Sequence, residues 1–203
     1  METTVKSPVL IYTEQTPNPG TLKFVTNRML YQGTADFRTA DLAEEWSPLA
    51  KALFARDEVD GVYVCNNFIT VNKKEDLEWQ DIMMELKDFI KNYVEDGGEI
   101  IKDGFEAVKV EIEAAQEAAI DYDEKDAEIV VKIKELINTY VKPAVEMDGG
   151  NIEFNKYVDG NVYVIMQGSC SGCPSSTVTL KAGIEGMLKR MVPEVKEVIA
   201  EMG

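Results

Sequence analysis

Residues 162–176 read VYVIMQGSCSGCPSS, and this stretch decides both the fold and the chemistry of the C-terminal part of the chain. Val162 to Gln167 is an apolar, β-branched run of strand character. Gly168-Ser169-Cys170-Ser171-Gly172-Cys173 follows as a small-residue loop, and Pro174 then opens a helical pattern in which Leu180, Ile184, Met187, Leu188 and Met191 share one face. Two thiols therefore sit three positions apart where a strand gives way to a helix. Unpaired N–H groups at a helix start favour thiolate over thiol, and the glycines let further N–H groups turn toward sulfur. Spacing of i, i+3 lets both sulfurs converge on one metal ion or cluster edge.

Working outward, Ile152 to Val158 is a second strand, joined to Val162–Gln167 by the hairpin turn Asp159-Gly160-Asn161. Before it stand a helix over about Asp126 to Val141, disturbed at Lys142-Pro143, and the turn Asp148-Gly149-Gly150. Pro193 stops the last helix, and Val195 to Ala200 forms a final strand. The order is α-β-β-α-β. Gly183 and Gly186 lie inside that helix, which predicts close backbone packing there.

The N-terminal part alternates short strands and helices. Val9–Glu14 and Thr21–Thr26 are joined by Thr16-Pro17-Asn18-Pro19-Gly20, which reads as a rigid connection rather than a docking surface for client proteins, since nothing in it has evident chemistry. Ser47-Pro48 caps a helix running to about Arg56. Strands Val59–Cys65 and Phe68–Val71 flank Asn66-Asn67, and a helix from Glu78 to Val94 ends at Gly97-Gly98. Val108, Val110 and Ile112 alternate with charged residues, which predicts a strand. From Glu106 to Glu128 nine acids face two lysines, the signature of a solvated spacer. The expected class is α+β with two small domains: a β-rich α+β domain at 1–113, an acidic linker at 114–124, and the α-β-β-α-β domain at 125–203.

Composition narrows the chemistry. The 203 residues carry a formal charge of −16 and no histidine. Such a surface repels phosphate backbones and anionic headgroups, so nucleic acid and membrane are not expected partners. Without imidazole, Cys-His and Ser-His-Asp nucleophiles and Rieske centres are excluded. Three cysteines, an odd number, argue against a disulfide framework. No apolar run is long enough for a bilayer and residues 1–10 lack a secretory pattern, so the expectation is a cytoplasmic protein. Cys65, on a strand pattern, reads as a buried packing residue.

From Gly160 through Leu180 no residue is charged, in a chain that is 29% charged. An uncharged loop rich in N–H donors suits an anionic guest. Iron–sulfur clusters and closed zinc sites take four protein ligands, and this loop supplies two. The simplest completion is a second copy of the chain across a two-fold axis. Three readings follow: a shared metal–sulfur site, a thiol–disulfide oxidoreductase using the CxxC, and a zinc-bridged dimerisation module. The oxidoreductase reading is weakened by a C-terminal part with too few strands for a thioredoxin-like sheet.

The run from Val141 to Glu197 resembles the NifU-like C-terminal domain, through Asp148-Gly149-Gly150, the Gly-x-Cys-x-x-Cys-Pro-Ser-Ser loop, Thr179-Leu180-Lys181, Gly183-Ile184-Glu185 and Val192-Pro193-Glu194. The first part is similar to the Nfu N-terminal domain, through Thr16-Pro17-Asn18-Pro19, Ser47-Pro48-Leu49-Ala50, Leu53-Phe54 and Ile69-Thr70-Val71. The resemblance implies a non-enzymatic iron–sulfur cluster scaffold or carrier. It implies Cys170 and Cys173 as cofactor-binding and metal ligands, and a 4Fe-4S cluster held between two subunits, although four thiolates also suit a 2Fe-2S cluster. The implied partners are a second copy of the chain, apo iron–sulfur proteins and cluster assembly factors. Asn151 departs mildly from the pattern, standing where the family often has an acid.

Overall fold

Alternating apolar residues and tight turns build two sheets, one antiparallel and one mixed, each accompanied by helices, in a computed structural model that describes residues 8–118, 120, 122–171 and 174–202. By their contacts the residues divide into two units, 1–15 with 20–102, and 16–19 with 103–203.

The first unit is a five-stranded antiparallel sheet of β1 (Ile11–Gln15), β2 (Thr21–Thr26), β3 (Tyr31–Phe37), β4 (Val59–Asn66) and β5 (Phe68–Lys73), in the order β1-β2-β5-β4-β3. Its helices are α1 (Ala40–Trp46), α2 (Pro48–Phe54) and α3 (Trp79–Glu95). Phe24, Phe37, Leu49, Leu53, Ile69, Leu86 and Ile90 are fully buried. Ser47 acts as the expected cap: its hydroxyl accepts from Ala50 N at 3.0 Å and donates to Ile100 O at 2.6 Å. Strand β3 and helix α1 had no counterpart in the sequence reading. β3 contains Gly33 at φ 145 and a register shift between Tyr31 and Thr34, so its alternation is broken where periodicity would be read.

The second unit contains α4 (Phe105–Ala118), α5 (Glu124–Leu136), α6 (Lys142–Met147), β6 (Gly150–Val158), β7 (Asn161–Gly168), α7 (Pro174–Met191) and β8 (Glu197–Met202). β6 and β7 form an antiparallel hairpin, and β8 joins the far side of β7 in parallel. The turn has Asp159 at φ 53 and Gly160 at φ 89, two successive left-handed residues that match the strand twist. Ile133, Leu136, Ile137, Ile152, Val164, Met166, Ile184, Leu188 and Val198 make one core, formed where the helices cover a sheet face. The α-β-β-α-β order therefore stands, as does the α+β class.

Three expectations need correction. The proposed strand at Val108–Ile112 is helical, within α4. A strand needs a neighbour for its N–H and C=O groups, whereas a helix satisfies its own, and Ala114 and Ala115 favour it. Val110 and Ile112 accordingly remain 53% exposed. The disturbance at Lys142-Pro143 takes the form of a π turn at Ile137–Val141 ahead of Pro143, and the helix, expected to run only to about Val141, continues beyond it as α6. Close packing does not account for Gly183 and Gly186, since a Cβ at either would meet no described atom within 4 Å. Among the described residues no helix is long and apolar enough to cross a membrane.

Candidate metal centre

β7 ends at Gly168, whose φ of 61 turns the chain sharply back. Cys170 N then donates to Gln167 O at 3.3 Å, and Ser171 donates to Gly168 O through both its N–H, at 3.1 Å, and its hydroxyl, at 2.8 Å. This closed turn carries Cys170 at the end of the β6–β7 ladder.

A second corner holds it from below. Asp148-Gly149-Gly150 leads into β6, with Gly149 at φ 83, and is tied to the cysteine turn by Ser169 N donating to Gly149 O at 3.2 Å and Ser169 Oγ donating to Asp148 O at 2.7 Å. Gly150 pairs with Gly168 across the ladder. A Cβ on Gly150 would sit 2.7 Å from Cys170 Sγ, so the absence of a side chain there makes room for the sulfur. The two glycine corners thus form a cradle around one thiol. The sequence marked Asp148-Gly149-Gly150 as a turn; its grip on Ser169 needed the fold.

Next to the cradle, Asn151 is fully buried and donates through Nδ2 to Glu153 Oε1 at 2.9 Å and Gln167 Oε1 at 2.8 Å, while its Oδ1 has no partner among the described residues. Lys109 Nζ reaches the same Glu153 oxygen at 3.4 Å. The neutral amide bridges two acceptors that a carboxylate at this position would repel, which gives the departure at 151 a physical sense.

The protonation of Cys170 differs from expectation. The residue is 8% exposed, and burial pushes its pKa from the ordinary 9.0 up to about 11. Ser169 hydrogen bonding opposes this and the Asp148 carboxylate adds to it. Helix-start N–H groups do not win here, because α7 begins only at Pro174 and Cys170 is enclosed within the preceding turn. At neutral pH it is a thiol. Cys173, the second expected ligand, lies outside the described residues.

Thr16–Pro19 belongs to this unit by its contacts, and Asn18 Nδ2 donates to Ser171 O at 3.0 Å. Nothing in the sequence assigns chemistry to Asn18; the signal there is the double proline around it. Cys65 belongs to the first unit, where it is buried on β4 with Val25, Tyr63 and Phe68, and Asn66 Nδ2 lies 3.4 Å from its sulfur.

With this geometry in place, comparison with known proteins gives two family matches: the NifU-like domain over residues 133–199 and the Nfu/NifU scaffold-protein N-terminal domain over residues 11–97. NifU-like protein 5, mitochondrial, of Arabidopsis thaliana is 40% identical over 196 residues, covering 95% of this chain and 68% of that protein. The NFU1 iron-sulfur cluster scaffold homolog, mitochondrial, of Drosophila persimilis is 40% identical over 195 residues, covering 95% of this chain and 65% of that protein. The chain thus spans about two thirds of the length of these relatives. A solution structure of a NifU-like protein from Saccharomyces cerevisiae aligns with TM-score 0.43 and 22% identity, over 51% of this chain and 92% of that one. The names of these relatives overturn the cytoplasmic expectation, pointing to mitochondria instead. Thiol counting separates oxidising from reducing surroundings and does not tell one reducing compartment from another.

Proposed function

Because this chain belongs to the Nfu/NifU-like family, we propose that it is an iron–sulfur cluster scaffold that binds its cargo through Cys170 and Cys173 and passes it to apo-proteins. The observation that carries the reading is the cradle: one sulfur held by two glycine corners, inside a sequence stretch free of charged residues from Gly160 to Leu180.

Two thiolates make half a coordination sphere. A second copy of the chain supplies the rest, so the loaded form is a homodimer with a 4Fe-4S or 2Fe-2S cluster between subunits. The cluster is cargo. Loading requires Cys170 to give its proton to solvent and turn its sulfur outward, since the buried thiol is protonated at neutral pH. Delivery is ligand exchange, in which a client's thiolates replace those of the loop and no electron is transferred. No step calls for an enzyme's acid, base or nucleophile, and the role is that of a carrier loaded by assembly factors.

The raised pKa also bears on the oxidoreductase alternative. Disulfide exchange needs an attacking thiolate, and the enzymes that catalyse it lower the pKa of that thiol. Burial of Cys170 acts in the opposite direction.

The test is anaerobic incubation with ferrous iron and sulfide, followed by metal and sulfide analysis and mass measurement of the assembly. The expected product is a coloured dimer, and Cys170→Ala with Cys173→Ala abolishes uptake. Equal uptake by that double variant, or a loaded monomer, would overturn the reading. Zinc in place of iron and sulfide in anaerobically purified protein would select the structural zinc bridge.

A further inference from the structure

Thr16-Pro17-Asn18-Pro19 is more than 150 positions from the cysteine loop in sequence, yet it is grouped with it by contact. The segment is rigid before it touches anything. Thr16 Oγ1 donates to Asn18 O at 2.8 Å and accepts from Asn18 N at 3.2 Å, and prolines on both sides of Asn18 fix φ. Asn18 is therefore presented with little conformational freedom left to lose. The residue is 6% exposed, and its Nδ2 reaches the carbonyl of Ser171 at 3.0 Å. Ser171 has already committed its N–H and hydroxyl inward, to Gly168 O. Its carbonyl is the point at which the closed turn is held from outside, one residue past Cys170.

We infer that the Thr16–Pro19 turn is a latch on the cysteine loop, with Asn18 as its positioning residue: the Asn18–Ser171 bond keeps Cys170 turned into its cradle, and it opens before the sulfur meets a guest. The inference rests on the reading of this loop as the cluster site, and it adds how access to that site is controlled. Losing the bond shifts the loop toward open forms by about fivefold, the factor typical of one net hydrogen bond.

The experiment uses the metal-free, reduced 203-residue chain carrying Cys173→Ser, so that Cys170 is the loop's single thiol. N-ethylmaleimide is added at fixed pH, and modification of Cys170 and Cys65 is followed separately by mass spectrometry of their peptides. Asn18→Ala, and Asn18→Leu, which keeps the volume and removes the donor, are expected to speed modification of Cys170 about fivefold with Cys65 unchanged. Hydrogen exchange of the Cys170 and Ser171 amides, which close the turn, rises in the same variants. An unchanged Cys170 rate overturns the latch. So does a rise shared equally by Cys65, which would report general loosening of the chain. No iron is present, so a failed latch leaves cluster binding standing, and failed cluster uptake by the unaltered protein leaves the latch standing.

Discussion

Gly150→Ala tests the cradle directly. Gly150 is not in the left-handed region, so the substitution meets no backbone strain of its own. What it meets is atoms: the added Cβ would sit 2.7 Å from Cys170 Sγ, 2.8 Å from Gln167 O and 3.0 Å from Ser169 Oγ. The sulfur and the hydroxyl can rotate. The Gln167 carbonyl cannot, because it is backbone at the end of the β6–β7 ladder and accepts the Cys170 N–H. Ordinary contact begins near 3.4 Å, so that carbonyl must retreat by about 0.6 Å, or β6 must move away from it. Overpacking of this kind costs about 1–3 kcal/mol, while replacing glycine lowers the entropy of the unfolded chain and returns about 0.4–1 kcal/mol. The net loss is about 1–2 kcal/mol, which in a unit of about a hundred residues lowers Tm by roughly 5–15 °C. Thermal unfolding followed by circular dichroism reads the stability, and iron and sulfide uptake reads the site. Uptake falls with stability, since the Ser169 ties to Asp148 and Gly149 run through the same corner. An alanine variant with unchanged Tm and full uptake would refute the cradle.

Three further outcomes are expected. Because burial raises the Cys170 pKa to about 11 in the folded chain from about 9 in the unfolded one, its contribution to stability is complete below pH 9 and is lost as pH rises through 11. Urea titrations should therefore show the stability gap between the parent and Cys170→Ala shrinking by up to about 2–3 kcal/mol across that window. Gly186→Ala, whose Cβ enters open space within α7, should stabilise the chain by about 1 kcal/mol, and a loss measured in the same titration would mean that a neighbour occupies that space. Ile133→Ala, in the core of the second unit, should cost about 2–5 kcal/mol and abolish cluster uptake in step with unfolding, whereas Leu86→Ala should melt the first unit by a similar amount. Calorimetry separates the two, and a single shared shift for both variants would show that the units unfold together.

The sequence was most legible where a signal is local. Asp159-Gly160 announces its turn because two left-handed residues are needed there, and the strands on either side follow by period. Ser47-Pro48 announces a helix because cap and first turn are adjacent residues. The glycines and thiols of the loop after β7 are likewise read in place, and they sufficed to suggest soft-metal chemistry. The same rules failed at Val108–Ile112, where an alternating pattern is compatible with both a strand and a helix and only the availability of a pairing partner chooses.

The order of strands and helices around residues 129–202, and the loop able to offer thiols, were determined by the sequence alone, because turns, caps and apolar periods act over a few residues. Whether the Cys170 thiol holds its proton, what fits beside its sulfur at Gly150, and which distant amide fastens Ser171 were decided only by the tertiary structure. Burial and hydrogen-bond partnership depend on atoms brought close by folding, and residues separated along the chain carry no mark of who their neighbours will be.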